Sequence, residues 1–330
     1  MPVEILGRYP TITRTRTGLF SLDVAIANKG ELGLPTRTVL ELYGYSNAGK
    51  STLAYYLASK VSGTGVVAVC DLEMLDRDYL KKVFENSGFS GAVQIMDVTD
   101  EKGKPVSDEE QLQHLRNRLY DEDCGSAIID SVGAIQSLSE AEGDFGEAFM
   151  GKRAKLVAQV SRSIGKVLKI KERPSNAFVI NHVHGIMGGK GHTTAGGETL
   201  KYISATRLMI WTDKVWKSTD DDDAEIIGFQ VGGQVEKLRY GGRGLGFNFY
   251  IVPGYGVHPG ASAMFDCINL GLVEAKTTLK LGGKSLGYIR KDFLIYAAEG
   301  KSRKFTPFFE ELDKHEKKMM KEMKDNDKED

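Results

Sequence analysis

The chain has 330 residues, 41% apolar and 27% charged, a composition that buries a core and excludes general disorder. Its 44 basic and 45 acidic residues leave a net charge of −1. A surface coated in basic charge is therefore excluded, although a local basic groove is not. The 38 glycines against 8 prolines point to ligand-binding loops and turns more than to linkers. At about 150 residues per domain, the length allows roughly two domains. Cys70, Cys124 and Cys267 lie far apart with no CxxC pair, which suits a reducing compartment. Met1–Arg8 lacks a signal peptide's apolar region, and no run of about 18 apolar residues occurs. The expectation is a cytoplasmic protein without a membrane span.

Thr38–Tyr43 reads as a strand and Lys50–Val61 as a helix; Gly65–Cys70 is a second strand, followed by the helical Asp78–Ser87. Ser126–Ile129, ending in Asp130, and Ala177–Ile180 are a third and a fourth strand. Between these two, Lys152–Lys171 carries Ala154, Val157, Ala158, Ile164, Val167 and Leu168 at helical intervals. This alternation predicts an α/β fold with a largely parallel sheet whose short apolar runs are buried strands. After Leu208–Trp211 come the acidic run Asp220–Asp223, a glycine-rich strand-like stretch to about Val257, and a small mixed segment to about Asp313. Residues 314–330 carry six Lys against six Asp or Glu, expected as a frayed helix or a disordered end.

The strongest local signal is Gly44-Tyr45-Ser46-Asn47-Ala48-Gly49-Lys50-Ser51, with Thr52 next, which fits G-x-x-x-x-G-K-[ST] between a strand and a helix. Its glycines let backbone N–H groups turn around phosphate oxygens, and the positive end of the following helix faces the anion. Lys50 would reach the β and γ phosphates and the Ser51 hydroxyl would coordinate Mg²⁺. Asp130, an acid ending an apolar strand, would hold the metal, through water, with Ser131 beside it. Asp71 and Glu73 alternate onto one face after the second strand; Glu73, farther along, is the candidate for handling the attacking water.

Several stretches, taken in order, resemble the RecA family of recombination ATPases. They are Thr17–Asp23, Gly33–Pro35, the loop at Gly44–Ser51, Asp71–Glu73, Ile129–Ser131, Glu142-Gly143 with Met150-Gly151, Ile180–His182, Thr194–Gly197 and Lys201–Arg207. The resemblance spans about residues 17–290. Asn181-His182 and Val235–Arg239 are most similar to the bacteriophage recombinases called UvsX, which makes a bacteriophage type the expectation. The resemblance implies a RecA-like ATPase core, helices flanking its sheet, and a small C-terminal α+β subdomain. The expected division is residues 1–34 as an N-terminal segment, 35–256 as core, 257–313 as subdomain and 314–330 as tail.

The resemblance also implies roles. ATP and Mg²⁺ become the cofactors, Glu73 the catalytic glutamate and Tyr79 the residue stacking on adenine, although it lies one residue closer to Glu73 than the family's spacing. His182 stands where a polar residue senses the γ-phosphate and signals to a DNA loop; bacterial RecA has Gln there, so the pH-dependent imidazole can alter the coupling. The glycine-rich 185–197 resembles the second DNA loop: Ile186 or Met187 would wedge between bases, Lys190 and Lys201 would neutralise phosphates, and Gly196 and Gly197 would let the backbone approach DNA. The first DNA loop would lie near 147–151, at Met150, with Lys155 and Arg162 following on one helix face. Lys237 and Arg239, two apart on a strand, point the same way and would reach the ATP of a neighbouring protomer as arginine fingers do.

The expected partners are single-stranded DNA, homologous duplex DNA and further copies of the chain in a helical filament or a ring, with mediator and single-strand-binding proteins. Only 16 residues precede the Thr17–Asp23 match. Val3–Leu6 suits an exchanged strand, whereas the family's docking helix is not expected, which leaves a non-filamentous regulator or loading factor, and a ring helicase, as alternatives.

Overall fold

The computed structural model describes residues 11–28, 30–136, 152–185, 192–241, 244–276 and 278–326. Its central sheet is assembled from strands whose side chains alternate between two buried faces. In β3 (Thr38–Gly44), Leu40 and Leu42 enter one core while Val39 enters the other. In β4 (Val66–Asp71) the same split places Val67 and Val69 opposite Ala68 and Cys70. A sheet covered on both sides takes apolar residues at most positions, which is why these strands read as near-continuous apolar runs.

In chain order, β1 (Arg14–Thr15), α1 (Phe20–Ala25) and β2 (Leu34–Pro35) precede β3; α2 (Lys50–Ser62), β4 and α3 (Arg77–Asn86) follow. Next come β5 (Ala92–Ile95), α4 (Asp108–Tyr120), β6 (Cys124–Asp130), α5 (Lys152–Ile170), β7 (Asn176–Gly185), β8 (His192–Thr194) and α6 (Gly197–Ile203). Three long strands, β9 (Thr206–Lys217), β10 (Ile226–Leu238) and β11 (Gly246–Val252), lead to the short β12 (Gly256–Val257). The sheet order is β12-β11-β10-β9-β3-β7-β6-β4-β5, with β8 paired to β7. From β9 to β5 the pairings are parallel, and β9 to β12 pair antiparallel. The expected α/β core with a largely parallel sheet is thus present.

Among the elements that went unread in the sequence are β5 and α4. The strand is half-exposed at the sheet edge, and α4 opens on a Ser107–Glu110 capping box and buries mainly Leu112, Leu115 and Leu119. The C-terminal part comprises α7 (Pro259–Asn269), β13 (Val273–Ala275), β14 (Leu279–Leu281), β15 (Lys284–Ser285), α8 (Arg290–Ala298) and α9 (Thr306–Asn326), and its buried residues form a cluster shared with Ile227, Tyr250 and Val252 of the central sheet. Phe293, Phe305 and Phe308 pack edge-on or tilted there, and Phe265 tilts against Tyr250 and Trp216, geometries that suit aromatic quadrupoles. Helix α9 crosses the 313/314 boundary and continues to Asn326. Glu316 accepts a two-pronged bond from Arg16, both contacts 2.7 Å, so this helix is tied to the N-terminal segment. Cys70, Cys124 and Cys267 are all buried free thiols. Among the described residues, no helix is long and apolar enough to cross a membrane.

Candidate active site

Parallel register brings the chemical groups to one edge. Gly44 of β3 pairs with His182 of β7, and Asp71 of β4 with Asp130 of β6. The phosphate-loop candidate, the histidine and two carboxylates therefore emerge together at the C-terminal ends of the strands, where open α/β sheets bind ligands. Beside them is a cavity of about 560 Å³ lined by residues 46–52, Glu73, Tyr79 and His182.

Two glycines keep the loop tight. A Cβ on Gly44 would lie 2.1 Å from the Ile210 carbonyl oxygen of β9; one on Gly49, whose φ is 84°, would lie 2.4 Å from Ile251 Cδ1. The turn therefore runs close under β9 and β11 and presents the first N–H groups of α2 to the cavity. Tyr45, half-exposed, follows Gly44 in the loop. Lys50 Nζ donates to the Tyr45 carbonyl at 2.7 Å. Burial pulls the Lys50 pKa down, against the opposing charges of Glu73 and Asp130, so an anion in the cavity would satisfy this ammonium better than a carbonyl does.

Asp130 is almost wholly buried. Tyr55 donates to its Oδ2 at 2.5 Å and Ser51 also bonds it, while Oδ1 is buried without a partner. Burial is the main cause of its raised pKa. A carboxylate with one orphaned oxygen beside a serine hydroxyl is the hard-oxygen set that Mg²⁺ takes, with waters completing the octahedron. The residues present fit the metal that the sequence implied. Tyr55 was missed because its position in α2 reads as ordinary helix.

Glu73 sits on the turn after β4, which Asp71 shapes by accepting from the Glu73 and Leu75 N–H groups at 3.1 and 2.9 Å. The Ser131 hydroxyl donates to Glu73 Oε1, and His182 Nε2 lies 3.1 Å from the same oxygen. Glu73, Ser131 and His182 are thus brought together from three strands. Tyr79, in the first turn of α3, bonds Thr52 Oγ1 through its hydroxyl at 2.7 Å and borders the cavity. Facing it from β10, β11 and the following turn is an apolar wall of Phe229, Val231, Ile251 and Pro253. Strand alternation alone carries no signal that these residues border a ligand.

The other candidates lie elsewhere. Lys237 and Arg239 do point the same way, but towards the end of α6. Lys237 Nζ donates to the Lys201 and Tyr202 carbonyls at 2.5 and 3.0 Å, and Arg239 also donates to Tyr202 O. Lys155 and Arg162 share an exposed face of α5. Lys201 pairs with Glu198 at 2.7 Å. Gly196, φ 86°, is buried, and a Cβ there would meet Val157 at 2.9 Å; Gly197, φ 68°, is exposed. Met150, Ile186, Met187 and Lys190 lie outside the described residues, as does Val3–Leu6.

Comparison with known proteins agrees with this geometry. Residues 6–239 match the family model described as the RecA N-terminal domain. Protein RecA of Methylococcus capsulatus is 28% identical over 86% of this chain and 78% of its own length; that of Geobacter sulfurreducens is 27% identical over 88% and 82%. Protein RecA of Cereibacter sphaeroides is 30% identical over 80% of this chain and 73% of its own. With the family model covering well over half of the chain and the phosphate loop, Asp130, Glu73 and His182 meeting at one sheet edge, the chain belongs to the RecA family.

Proposed function

We propose that this protein is an ATP-dependent homologous-recombination protein of the bacteriophage type. It binds single-stranded DNA as a filament, pairs it with homologous duplex and exchanges strands, hydrolysing ATP in a DNA-stimulated manner. The observation that carries the reading is the shared oxygen of Glu73, held at once by Ser131 and His182 at the mouth of the phosphate-loop cavity. A carboxylate there suits orientation of a water towards a γ-phosphate, and a histidine touching it suits detection of that phosphate.

Lys50 and the N-terminal N–H groups of α2 hold the phosphates, and Tyr79 with Thr52 flanks the base. Ser51 and Asp130 would hold Mg²⁺, which when bound would neutralise charge on the phosphate oxygens. Asp130, kept in place by Tyr55, would serve the metal through water, and Glu73 would orient the attacking water. Lys237 and Arg239 would leave the end of α6 to reach a nucleotide on the adjacent protomer. Lys155, Arg162, Lys201 and the 185–197 loop, with Met150, Ile186, Met187, Lys190, Gly196 and Gly197, form the DNA surface. The bacteriophage assignment rests on Asn181-His182 and the Val235–Arg239 stretch.

The test is the ATPase rate with and without single-stranded DNA across protein concentrations, alongside electron microscopy with Mg²⁺ and a slowly hydrolysed ATP analogue. Helical filaments and steep dependence on both DNA and protein are expected, with Lys50→Ala inactive. DNA-independent turnover by isolated particles would refute the proposal.

A further inference from the structure

Glu41 is a carboxylate in the middle of an otherwise apolar strand, and it is 0% exposed. Burying a charge there costs several kcal/mol unless it is closely paired and hydrogen-bonded. Both oxygens are engaged: Oε1 accepts from Asn181 Nδ2 at 2.8 Å, and Oε2 from Arg207 Nε at 2.6 Å. Arg207 lies directly opposite Glu41 in the β3–β9 register and opposite Lys237 in the β9–β10 register. Its guanidinium lies 4.6 Å from the Tyr43 ring centroid, and Nη1 lies 3.4 Å from Glu236.

Asn181 and His182 are consecutive in β7, so their side chains leave opposite faces of the sheet. His182 faces the cavity and touches Glu73. Asn181 faces the α5–α6 side, where its amide donates to Glu41 and, at 2.8 Å, to the Ala195 carbonyl; its Oδ1 accepts from the His182 N–H at 2.9 Å. Ala195 lies between β8 and Gly196-Gly197, which begin α6. One amide side chain therefore joins the histidine's backbone to the segment leaving the glycine-rich stretch.

We infer that the Glu41–Arg207 pair is a positioning element for this joint. It fixes the Asn181 amide so that a shift of His182 on meeting a γ-phosphate is delivered to Ala195 instead of being lost in amide rotation. The pair rests on the reading proposed above and supplies its route through the sheet, on residues assigned no part in holding nucleotide or DNA. A glutamine at position 41 has one acceptor oxygen for two donors, so one of the two bonds must open.

The test uses Glu41→Gln and the double variant Glu41→Gln/Arg207→Met, which removes both buried charges and so avoids leaving one unpaired. Both should bind a fluorescent ATP analogue like wild type and keep its KM for ATP, while kcat at saturating single-stranded DNA falls about tenfold, a coupling loss in the usual range. A double variant with wild-type melting temperature and undiminished DNA stimulation would overturn the inference and leave the pair merely structural. Hydrogen exchange on the wild-type protein supplies a measurement independent of variant folding. A nonhydrolysable ATP analogue should change protection across 194–203, and no change there overturns the inference. Wild-type protein without any DNA stimulation would instead defeat the functional reading, and the inference with it.

Discussion

Asp266 carries a prediction whose size follows from the structure. It sits on α7 against α1, where the Ser21 N–H donates to Oδ2 at 3.2 Å and Oδ1 is buried without a partner. Burial, with a smaller push from Asp23 and opposed by Ser21 and Asn248, drives its pKa up to about 7. In the unfolded chain a carboxyl of this type titrates near about 3.9. Between those values the native state keeps a proton that the unfolded state has released, so stability is full at low pH and falls as pH rises. The slope is about 1.4 kcal/mol per pH unit, and the whole effect amounts to about 4 kcal/mol by pH 8. Asp266→Asn stays neutral throughout and supplies a donor of the same shape. Its stability relative to wild type should therefore grow by about 3 kcal/mol between pH 5 and pH 8. Paired urea denaturation at three pH values measures this, with other titrating groups cancelling in the difference. A difference that is constant, or that shrinks as pH rises, would refute the reasoning.

Glu73→Gln should keep ATP affinity and slow hydrolysis by about a hundredfold, since it retains the shape but loses the base; unchanged turnover would move the water-handling role to another residue. Lys237→Ala with Arg239→Ala should lower DNA-stimulated turnover by about a thousandfold, the scale of an arginine finger, and measured ATP affinity should drop far less. Equal losses of both would contradict action across a subunit boundary. Gly44→Ala forces a Cβ to within 2.1 Å of a β9 carbonyl, so it should cost about 1–3 kcal/mol of stability together with nucleotide binding. A melting temperature equal to wild type would count against the close approach of the loop to β9.

Much of the candidate cleft was legible because its elements are local. Gly44–Ser51 is a contiguous strand–turn–helix motif, and a buried parallel strand that ends in an acid, as β6 does at Asp130, announces itself by its apolar run. Glu73 was nameable for the same reason, as a polar residue at a strand end, whereas His182 was named through the resemblance to the RecA family. What could not be read was the far side of the cavity. Phe229, Val231 and Ile251 come from an antiparallel hairpin more than 150 residues later in the chain, and their alternation says only that one face of each strand is buried. Edge strand β5 and helix α4 were missed because their burial is partial and their apolar residues few.

The amino-acid sequence by itself determined the strand–helix alternation, the phosphate-loop turn and the identities of the acids at the strand ends, because each depends on neighbours a few residues away. Only the tertiary structure decided which of those ends meet, since parallel register is set by packing between strands far apart in the chain. It also decided that Glu41, Asn181 and Arg207 form one buried network. A carboxylate can persist at 0% exposure only where its partners are already in place, and those partners arrive from β7 and β9, 140 and 166 residues farther along the chain.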